Sequence, residues 1–324
     1  MKATGKKSFP KSVIITGSNT GLGYQCAHSI ASSKKDWHLI IACRDSGKGN
    51  EAVSRLITDT NNRNISSMEL DLASLSSIRN FATVFSNAHL PSLHAIVCNA
   101  GLLIIKGTAY THDGFEMTFG VNHLGHFLLV NLLLKYMSAT GRIVFVSSGT
   151  HDPEQTTGMP APVYVDAQTL AYPDNSSAKE NDAYIGRRRY STSKLCNIYC
   201  AYELADRIGK ETGTGITVNA FDPGLMPGTG LARQVNPMAF LVWKYVMPVL
   251  TWLPINANTP EKSGSALASL VTNPEFSNIT GRYFEGTKER KSSKLSDEKE
   301  NALDLWNTSL SLVGLRREET ILSL

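Results

Sequence analysis

Two short segments of this chain carry residue types that could do chemistry together. Residues 16–23 read TGSNTGLG, and their glycines let the backbone approach a pyrophosphate with no side chain in the way. Tyr190 and Lys194 lie four residues apart, which puts a phenol and an ammonium on one face of a helix. Because a nearby cation stabilises a phenolate, we expect Lys194 to lower the pKa of Tyr190. Together the two segments predict an oxidoreductase that uses a nicotinamide dinucleotide.

The N-terminal turn is expected to hold the cofactor diphosphate. It lies between the first predicted strand and the first predicted helix, where free N–H groups and the positive end of the helix dipole face an anion. Its glycines follow the spacing GxxxGxG rather than GxGxxG, and a turn that serves packing alone is the alternative. The predicted cofactor-binding residues of the turn are Gly17, Ser18, Asn19, Thr20, Gly21, Leu22 and Gly23.

The end of the second strand indicates which nicotinamide cofactor is bound. A carboxylate there suits the ribose diol of NAD, whereas a guanidinium suits the 2′-phosphate of NADP. Arg44 therefore predicts NADPH, with Ser18 and Lys48 assisting; the alternative is a surface Arg44 paired with Asp45. Two later strand ends are predicted to line the adenine (Asp71, Leu72) and the ribose (Asn99, Ala100, Gly101).

Two more residues are candidates for the reaction itself. Ser148 follows the fifth strand and could donate a hydrogen bond to a substrate carbonyl; it is preferred over Ser147 because it lies just past the strand. Asn122 could kink its helix and hold a water that passes protons to Lys194.

Simpler interpretations compete with some of these candidates. Tyr184 also has a basic residue, Arg188, four positions later, but an arginine cannot release its proton and the segment looks like a loop. His123 and His126 lie on one apolar helix and are better explained as structural histidines than as metal ligands or bases.

The elements that must position these residues alternate regularly. Apolar runs without polar alternation indicate strands buried on both faces of a parallel sheet. Strands are predicted at 12–15, 38–43, 68–70, 95–98, 143–147, 217–221 and 281–285, and helices at 22–32, 48–61, 76–86, 115–137, 190–208 and 261–271. Such alternation predicts one doubly wound α/β (Rossmann-type) domain over residues 11–324, after a flexible tail at 1–10.

Two segments interrupt this alternation. Residues 149–189 are rich in Pro, Asp, Asn and Ser, and a loop of this length inside a compact domain is usually functional or disordered. Residues 238–254 read MAFLVWKYVMPVLTWLP, which is short for a membrane span. They could be part of a substrate lid at about 225–258, a dimer face or a peripheral membrane contact.

Composition narrows the class of protein. Of 324 residues, 42% are hydrophobic and 19% charged, as in ordinary globular proteins. A dispersed net charge of +4 argues against nucleic acid, and no secretory signal is expected because no apolar run follows the basic start. The five cysteines lie in apolar segments and complete no Cys/His set, which predicts a cytoplasmic protein with reduced thiols and no metal.

Six motifs occur in the order found in one superfamily: TGSNTGLG, CNAG, NHLGHF, VSS, YSTSK and DPG. From about residue 11 to 286 the chain thus resembles the short-chain dehydrogenases/reductases, nearest the branch that holds retinol dehydrogenase-like enzymes and light-dependent protochlorophyllide reductases. The resemblance implies a catalytic tetrad (Asn122, Ser148, Tyr190, Lys194) and a segment over the nicotinamide and diphosphate (Pro223, Gly224, Leu225, Thr229).

One departure from the compact members of the family is the 42-position separation of Ser148 from Tyr190. Long insertions at this place resemble protochlorophyllide reductases, which generally lack the serine, so Ser148 favours ordinary carbonyl chemistry.

The sequence therefore predicts NADPH-dependent hydride transfer to a carbonyl or activated double bond of an apolar substrate, with Tyr190 as general acid. The alternatives are a light-dependent protochlorophyllide reductase-like enzyme and a non-catalytic NADP(H)-binding sensor or scaffold. Helices 115–137 and 190–208 carry enough apolar surface for a homodimer face.

Overall fold

The computed structural model describes residues 11–174, 180–226 and 258–324, and its centre is one sheet of eight strands. The strands are β1 (Lys11–Thr16), β2 (Trp37–Cys43), β3 (Ile65–Glu69), β4 (Ser92–Cys98), β5 (Met137–Val146), β6 (Thr217–Asp222), β7 (Arg282–Glu285) and β8 (Lys288–Arg290). Their order is β3-β2-β1-β4-β5-β6-β7-β8; β1 to β7 run parallel, and β8 is antiparallel to β7.

Helices cover both faces of this sheet. They are α1 (Gly21–Ser33), α2 (Ser46–Thr60), α3 (Leu75–Asn87), α4 (Met117–Tyr136), α5 (Ala167–Ala171), α6 (Asp182–Glu211), α7 (Pro260–Thr272) and α8 (Lys299–Leu312). Apolar side chains of α1, α2 and α7 form the core on one face, and those of α3, α4, α6 and α8 form the core on the other. The predicted doubly wound α/β fold is confirmed. Strand order reverses between β1 and β4, which opens a crevice at their carboxyl ends.

Helix α4 crosses the interior of the molecule. It is long and apolar enough to span a membrane by length and composition, but 94% of its apolar window is buried in the protein, as expected of a core helix. A π-helical turn at Gly120–Leu124 interrupts it and widens the helix around Asn122.

The predicted insertion contains more regular structure than its composition suggested. Helix α6 begins at Asp182, two turns before Tyr190, so the expectation of a loop around Tyr184 is wrong. The Asn181 side chain accepts a hydrogen bond from the backbone of Tyr184 and caps this helix start. Farther upstream, the Tyr164 hydroxyl donates to Asp304 of α8 at 2.6 Å and fastens the insertion to that helix.

The short strand β8 and helix α8 were not predicted. Helix α8 packs against the two helices whose apolar surface predicted a dimer face. Its Trp306 ring packs edge-on against Phe127 of α4 and under the guanidinium of Arg207 of α6. Every residue of α4 from Gly125 to Leu133 is buried within the single chain. Packing within the single chain, including that of α8, thus covers this part of the apolar surface that predicted a homodimer face. The predicted tail at 1–10 and the segment at 238–254 lie outside the described residues.

Close contact between α1 and α7 yields a stability prediction. A Cβ added to Gly264 of α7 would overlap Gln25 of α1 and lie 2.8 Å from the backbone nitrogen of Cys26. We expect Gly264→Ala to lower the free energy of unfolding by about 1–3 kcal/mol, because the two helices would have to separate. The control is Gly209→Ala on the exposed surface of α6, where nothing lies within 4 Å of the added Cβ and a gain of up to about 1 kcal/mol is expected. Urea unfolding of both variants measures the difference, and a stabilised Gly264→Ala would contradict the packing described here.

Candidate active site

Most of the predicted site residues lie at one edge of the sheet. Gly17 follows β1, Asn99 follows β4, Ser148 comes two positions after β5, and Asp222 ends β6. Since these strands are parallel, their carboxyl ends meet at the same edge. Helix α6 brings Tyr190 to this edge, where the Ser147 hydroxyl donates to the backbone carbonyl of the neighbouring Lys194 at 2.8 Å.

The glycine turn has room for an anion and none for extra side chains. Gly17 has a φ of +62°, and a Cβ on it would lie 2.9 Å from the Cα of Ala100. A Cβ on Gly23 would lie 2.9 Å from the backbone oxygen of Gly17. Thr20 precedes α1 without capping it through its side chain, and the first turn of α1 holds no acidic residue. The N–H groups at this helix start are therefore open to a bound phosphate, so the residues fit a dinucleotide.

A hydrogen-bonded brace holds the turn against β4. The Thr16 hydroxyl accepts from the backbone N–H groups of Asn99 and Ala100, both at 2.9 Å, and lies 2.8 Å from Nε2 of His126. The Asn99 amide donates to the backbone oxygens of Thr16 at 2.7 Å and Gly17 at 3.3 Å. The side chain of Asn99, predicted beside the ribose, is thus used to shape the turn.

Gly101 keeps space open beside the Tyr/Lys helix. A Cβ on Gly101 would lie 3.4 Å from both Nζ of Lys194 and Oδ1 of Asn122. The side chains of Asn122 and Lys194 therefore approach the chain just after β4, as the predicted ribose wall requires.

Arg44 is exposed and forms no ion pair with any residue in the described ranges. The alternative pairing of Arg44 with Asp45 is not seen, because Asp45 instead caps α2 through the backbone of Lys48 and lies 3.4 Å from its ammonium. The Ser18 hydroxyl is buried and donates to the backbone oxygen of Ile15. The Arg44 guanidinium is thus open to a phosphate.

The residues predicted near the adenine have other partners as well. The Asp71 carboxylate accepts from the backbone of Ala73 at 2.9 Å and lies 3.6 Å from His112. Leu72 is buried in the core, so only its backbone remains for a ligand.

Tyr190 and Lys194 lie together in a nearly dry environment. Their side chains are 8% and 3% exposed, and Nζ of Lys194 is 5.4 Å from the centre of the Tyr190 ring. Burial lowers the pKa of Lys194 to about 8, against the opposing effect of Asp222. Burial also raises the pKa of Tyr190, and the Asp222 charge raises it further. The expected lowering of the Tyr190 pKa is not seen in the unliganded chain, because burial and the Asp222 charge both raise it.

Asp222 is a member of this charge cluster that sequence analysis noted in the DPG motif without assigning a role. It is 2% exposed, and burial raises its pKa. Its carboxylate accepts from the backbone of Gly224 at 2.8 Å and from the Tyr283 hydroxyl at 3.0 Å. A carboxylate at the end of a fully buried strand was the sequence signal that could have identified it.

The side chains of Asn122 and Ser148 differ in how far hydrogen bonds within the protein occupy them. The Asn122 amide is fully used: it exchanges two hydrogen bonds with the backbone of Leu102 and donates to the Ser193 hydroxyl at 2.9 Å. Ser148 is half-buried, and its hydroxyl accepts only a long bond of 3.3 Å from the backbone of Thr150 within the described residues. Ser147, by contrast, is buried and its hydroxyl is committed to α6. Ser148 therefore has the available hydroxyl of the two.

The competing candidates occupy structural or exposed positions. Tyr184 is 43% exposed, with the Arg188 guanidinium 5.6 Å from its ring centre. His123 lies 2.8 Å from the Ser309 hydroxyl, and burial lowers its pKa to about 3. His126 lies between Thr16 and the backbone oxygen of Asn122, and burial lowers its pKa to about 4. Burial keeps both histidines neutral; both ring nitrogens of His126 have protein partners, whereas Nδ1 of His123 is buried without one in the described residues.

The segment after β6 turns sharply over this edge. Gly224 has a φ of +75°, and the backbone oxygen of Pro223 accepts from Ser263 of α7 at 2.6 Å. The backbone oxygen of Leu225 accepts from Asn258 at 2.9 Å. Thr229, predicted to bind the diphosphate, lies outside the described residues.

An apolar wall runs along the opening. Residues 102–105 read LLII and are all half-buried. They lie against α6, because a Cβ on Gly186 would overlap the backbone oxygen of Ile104. Asp182 accepts from the backbone of Gly107 at 2.9 Å and Arg189 donates to Thr108 at 2.9 Å, which fastens the following residues to the same helix.

Comparisons with known proteins agree with this arrangement. The sequence pattern of the family described as "short chain dehydrogenase" matches residues 11–160. Retinol dehydrogenase 13 of Homo sapiens is 34% identical over 313 residues, which span 96% of this chain and 87% of that protein. The chloroplastic protochlorophyllide reductase of Daucus carota is 36% identical over 329 residues, 96% of this chain and 80% of the relative. A solved structure of an uncharacterised protein from Mycobacterium paratuberculosis matches with a TM-score of 0.66 at 25% identity, over 95% of this chain and 97% of that one.

The geometry of the turn predicts that Gly17→Ala weakens dinucleotide binding. The matched control is Gly213→Ala, at an exposed glycine with nearly the same φ, +61°, and nothing within 4 Å of the added Cβ. Both variants should lose about 1–2 kcal/mol of stability from the left-handed backbone, and Gly17→Ala should lose more because its Cβ also overlaps Ala100. Only Gly17→Ala should weaken NADPH or NADH binding, by at least about tenfold, in a fluorescence titration. Equal losses of affinity in the two variants would show that the turn is not the binding site.

Proposed function

The chain belongs to the short-chain dehydrogenase/reductase family, in the branch of the retinol dehydrogenases and protochlorophyllide reductases, and we propose that it is an NADPH-dependent reductase of apolar aldehydes or ketones. The observation that carries the proposal is that Lys194 lies beside the Tyr190 ring and is bonded through its backbone to Ser147, the neighbour of Ser148, at the carboxyl end of β5.

The nicotinamide cofactor of this family supplies the hydride when it is bound. The protein's part is to stabilise and protonate the oxygen that becomes negative. A raised pKa keeps Tyr190 neutral at physiological pH, with its proton ready to donate. An alkoxide is far more basic than a phenolate, so the transfer from Tyr190 remains downhill. Ser148 donates a hydrogen bond to the same oxygen.

Lys194 is the group that would hold the cofactor's ribose. Its ammonium donates to the backbone oxygen of Val146 at 3.1 Å, which leaves two N–H donors for hydroxyl groups. With a pKa of about 8 it is mostly charged at neutral pH. Asn122, anchored to the segment after β4, is proposed to order the proton path that ends at Lys194.

An apolar substrate is supported by the half-buried wall at 102–105, which lies against Gly186 of the helix that carries Tyr190. The names of the two relatives specify retinol and protochlorophyllide, both largely apolar molecules. The five cysteines, all buried and unpaired, support the expectation of a reduced, cytoplasmic protein.

The deciding experiment is NADPH oxidation in the dark against aldehydes and ketones of increasing apolar size, retinal included, with Tyr190→Phe alongside. Loss of the Tyr190 hydroxyl should slow turnover on the order of 10²- to 10⁴-fold while NADPH affinity is kept. Tyr184→Phe, at the exposed tyrosine of the same helix, is the control and should keep full activity.

Three other results of this experiment would contradict the proposal, each in a different way. Near-normal turnover by Tyr190→Phe would remove this tyrosine as the acid. Turnover of protochlorophyllide only under illumination would identify the light-dependent reaction. Tight NADPH binding without turnover in any condition would identify a sensor.

Cofactor preference is proposed to depend on Arg44, whose guanidinium is exposed next to the turn. Arg44→Ala should weaken NADPH binding roughly 10- to 100-fold, the value of a charged hydrogen bond, and leave NADH binding unchanged. Lys48→Ala measures the assistance expected from the second cation and should weaken NADPH binding less than Arg44→Ala, since that ammonium already faces Asp45. Equal affinity of the unmodified protein for NADPH and NADH would overturn the proposed preference.

A further inference from the structure

His151 lies three residues after Ser148 and is completely buried. It ends the 3₁₀ turn Gly149–His151, which begins directly after Ser148. Its ring packs 4.9 Å from that of Tyr283, the residue whose hydroxyl donates to Asp222. No role in the proposed reaction has yet been given to this histidine.

Both ring nitrogens of His151 have partners that define its proton. The backbone N–H of Ser293 lies 3.0 Å from Nε2 and can only donate, so Nε2 is the acceptor and carries no hydrogen. The backbone oxygen of Ser148 lies 2.7 Å from Nδ1 and can only accept, so Nδ1 carries the hydrogen. The ring is therefore neutral, in the Nδ1–H form, and burial lowers its pKa accordingly.

These contacts fix the backbone of Ser148 through its carbonyl oxygen. The Ser148 oxygen also accepts from the backbone of His151 at 3.1 Å, which closes the turn. The Ser148 hydroxyl receives only the 3.3 Å bond from Thr150, so its orientation depends on the backbone rather than on side-chain partners. Ser293, at the far end of this chain of contacts, comes shortly after β8 in the C-terminal part of the protein.

We propose that His151 is a positioning residue for Ser148: its Nδ1–H holds the Ser148 carbonyl so that the Ser148 hydroxyl points to the substrate oxygen. This inference rests on the proposed function, because it assigns a task within the same site. His151 itself does not touch the substrate.

Two substitutions separate the two ring contacts. His151→Asn places an amide donor near the position of Nδ1 and should keep the bond to Ser148. His151→Gln places its amide near Nε2, where it can accept from Ser293 but cannot reach Ser148. We expect His151→Gln to lower kcat on the order of 10- to 100-fold, as for a displaced reacting group, and His151→Asn to stay within a few-fold of the wild type. NADPH affinity should be unchanged in both, and thermal unfolding checks that both are folded.

A double-mutant cycle with Ser148→Ala identifies the route of the effect. If His151 acts through Ser148, the double variant Ser148→Ala/His151→Gln should be no slower than Ser148→Ala alone. Additive losses would mean that His151 acts by some other route and would overturn the inference. Equal kcat losses in His151→Asn and His151→Gln would also overturn it, because the two substitutions differ in the contact to Ser148.

A measurement that needs no substrate separates this inference from the proposed function. ¹⁵N NMR of the histidine ring at neutral pH should show hydrogen on Nδ1 and none on Nε2. The opposite tautomer would overturn the inference even in an active enzyme. The expected tautomer in a protein without any reductase activity would overturn the proposed function and support the geometry claimed for His151.

Discussion

Lys194 carries its ammonium where water is almost excluded, and much of the surrounding structure meets the needs of that group. The nearby carboxylate of Asp222 opposes the loss of its proton, and the backbone oxygen of Val146 accepts from it. Asp222 is buried too and is satisfied in turn by Gly224 and Tyr283. A buried ammonium without such partners would give up its proton and become a neutral amine. The strand ends of β5, β6 and β7 are thus tied together around one ammonium.

The same burial determines the protonation states of Tyr190 and Lys194 at neutral pH. Desolvation disfavours every charged form, so it keeps the phenol of Tyr190 protonated while it makes the proton of Lys194 easier to lose. A neutral phenol is the form that can donate a proton, which is the form that the proposed reduction of a carbonyl requires. The spacing of Tyr190 and Lys194 alone had suggested a lowered tyrosine pKa.

The sequence was sufficient for features that depend on local pattern and insufficient for those that depend on burial or on weak patterns. Unalternating apolar runs gave the seven parallel strands and the doubly wound fold, because a strand covered on both faces leaves no polar periodicity. The start of α6 was missed because residues 182–189 contain three consecutive arginines and look like solvent-exposed chain. Helix α8 was missed because its apolar positions are few. The pKa of Tyr190 could not follow from spacing, since it is set by desolvation that only the folded chain shows.

Residues of the C-terminal third contribute to the site, although their sequence pattern gives little sign of it. The family pattern ends at residue 160, before Tyr190 and Lys194. Tyr283 of β7 orients Asp222, and Ser293 determines which nitrogen of His151 is protonated. Helix α8 meanwhile covers α4 and α6 and fastens the insertion between Ser148 and Tyr190. An insertion of that length would otherwise leave the two residues free to separate, because a long loop constrains its ends only weakly. The C-terminal elements compensate by packing both flanks of the insertion against one core, which keeps Ser148 and Tyr190 at the same sheet edge.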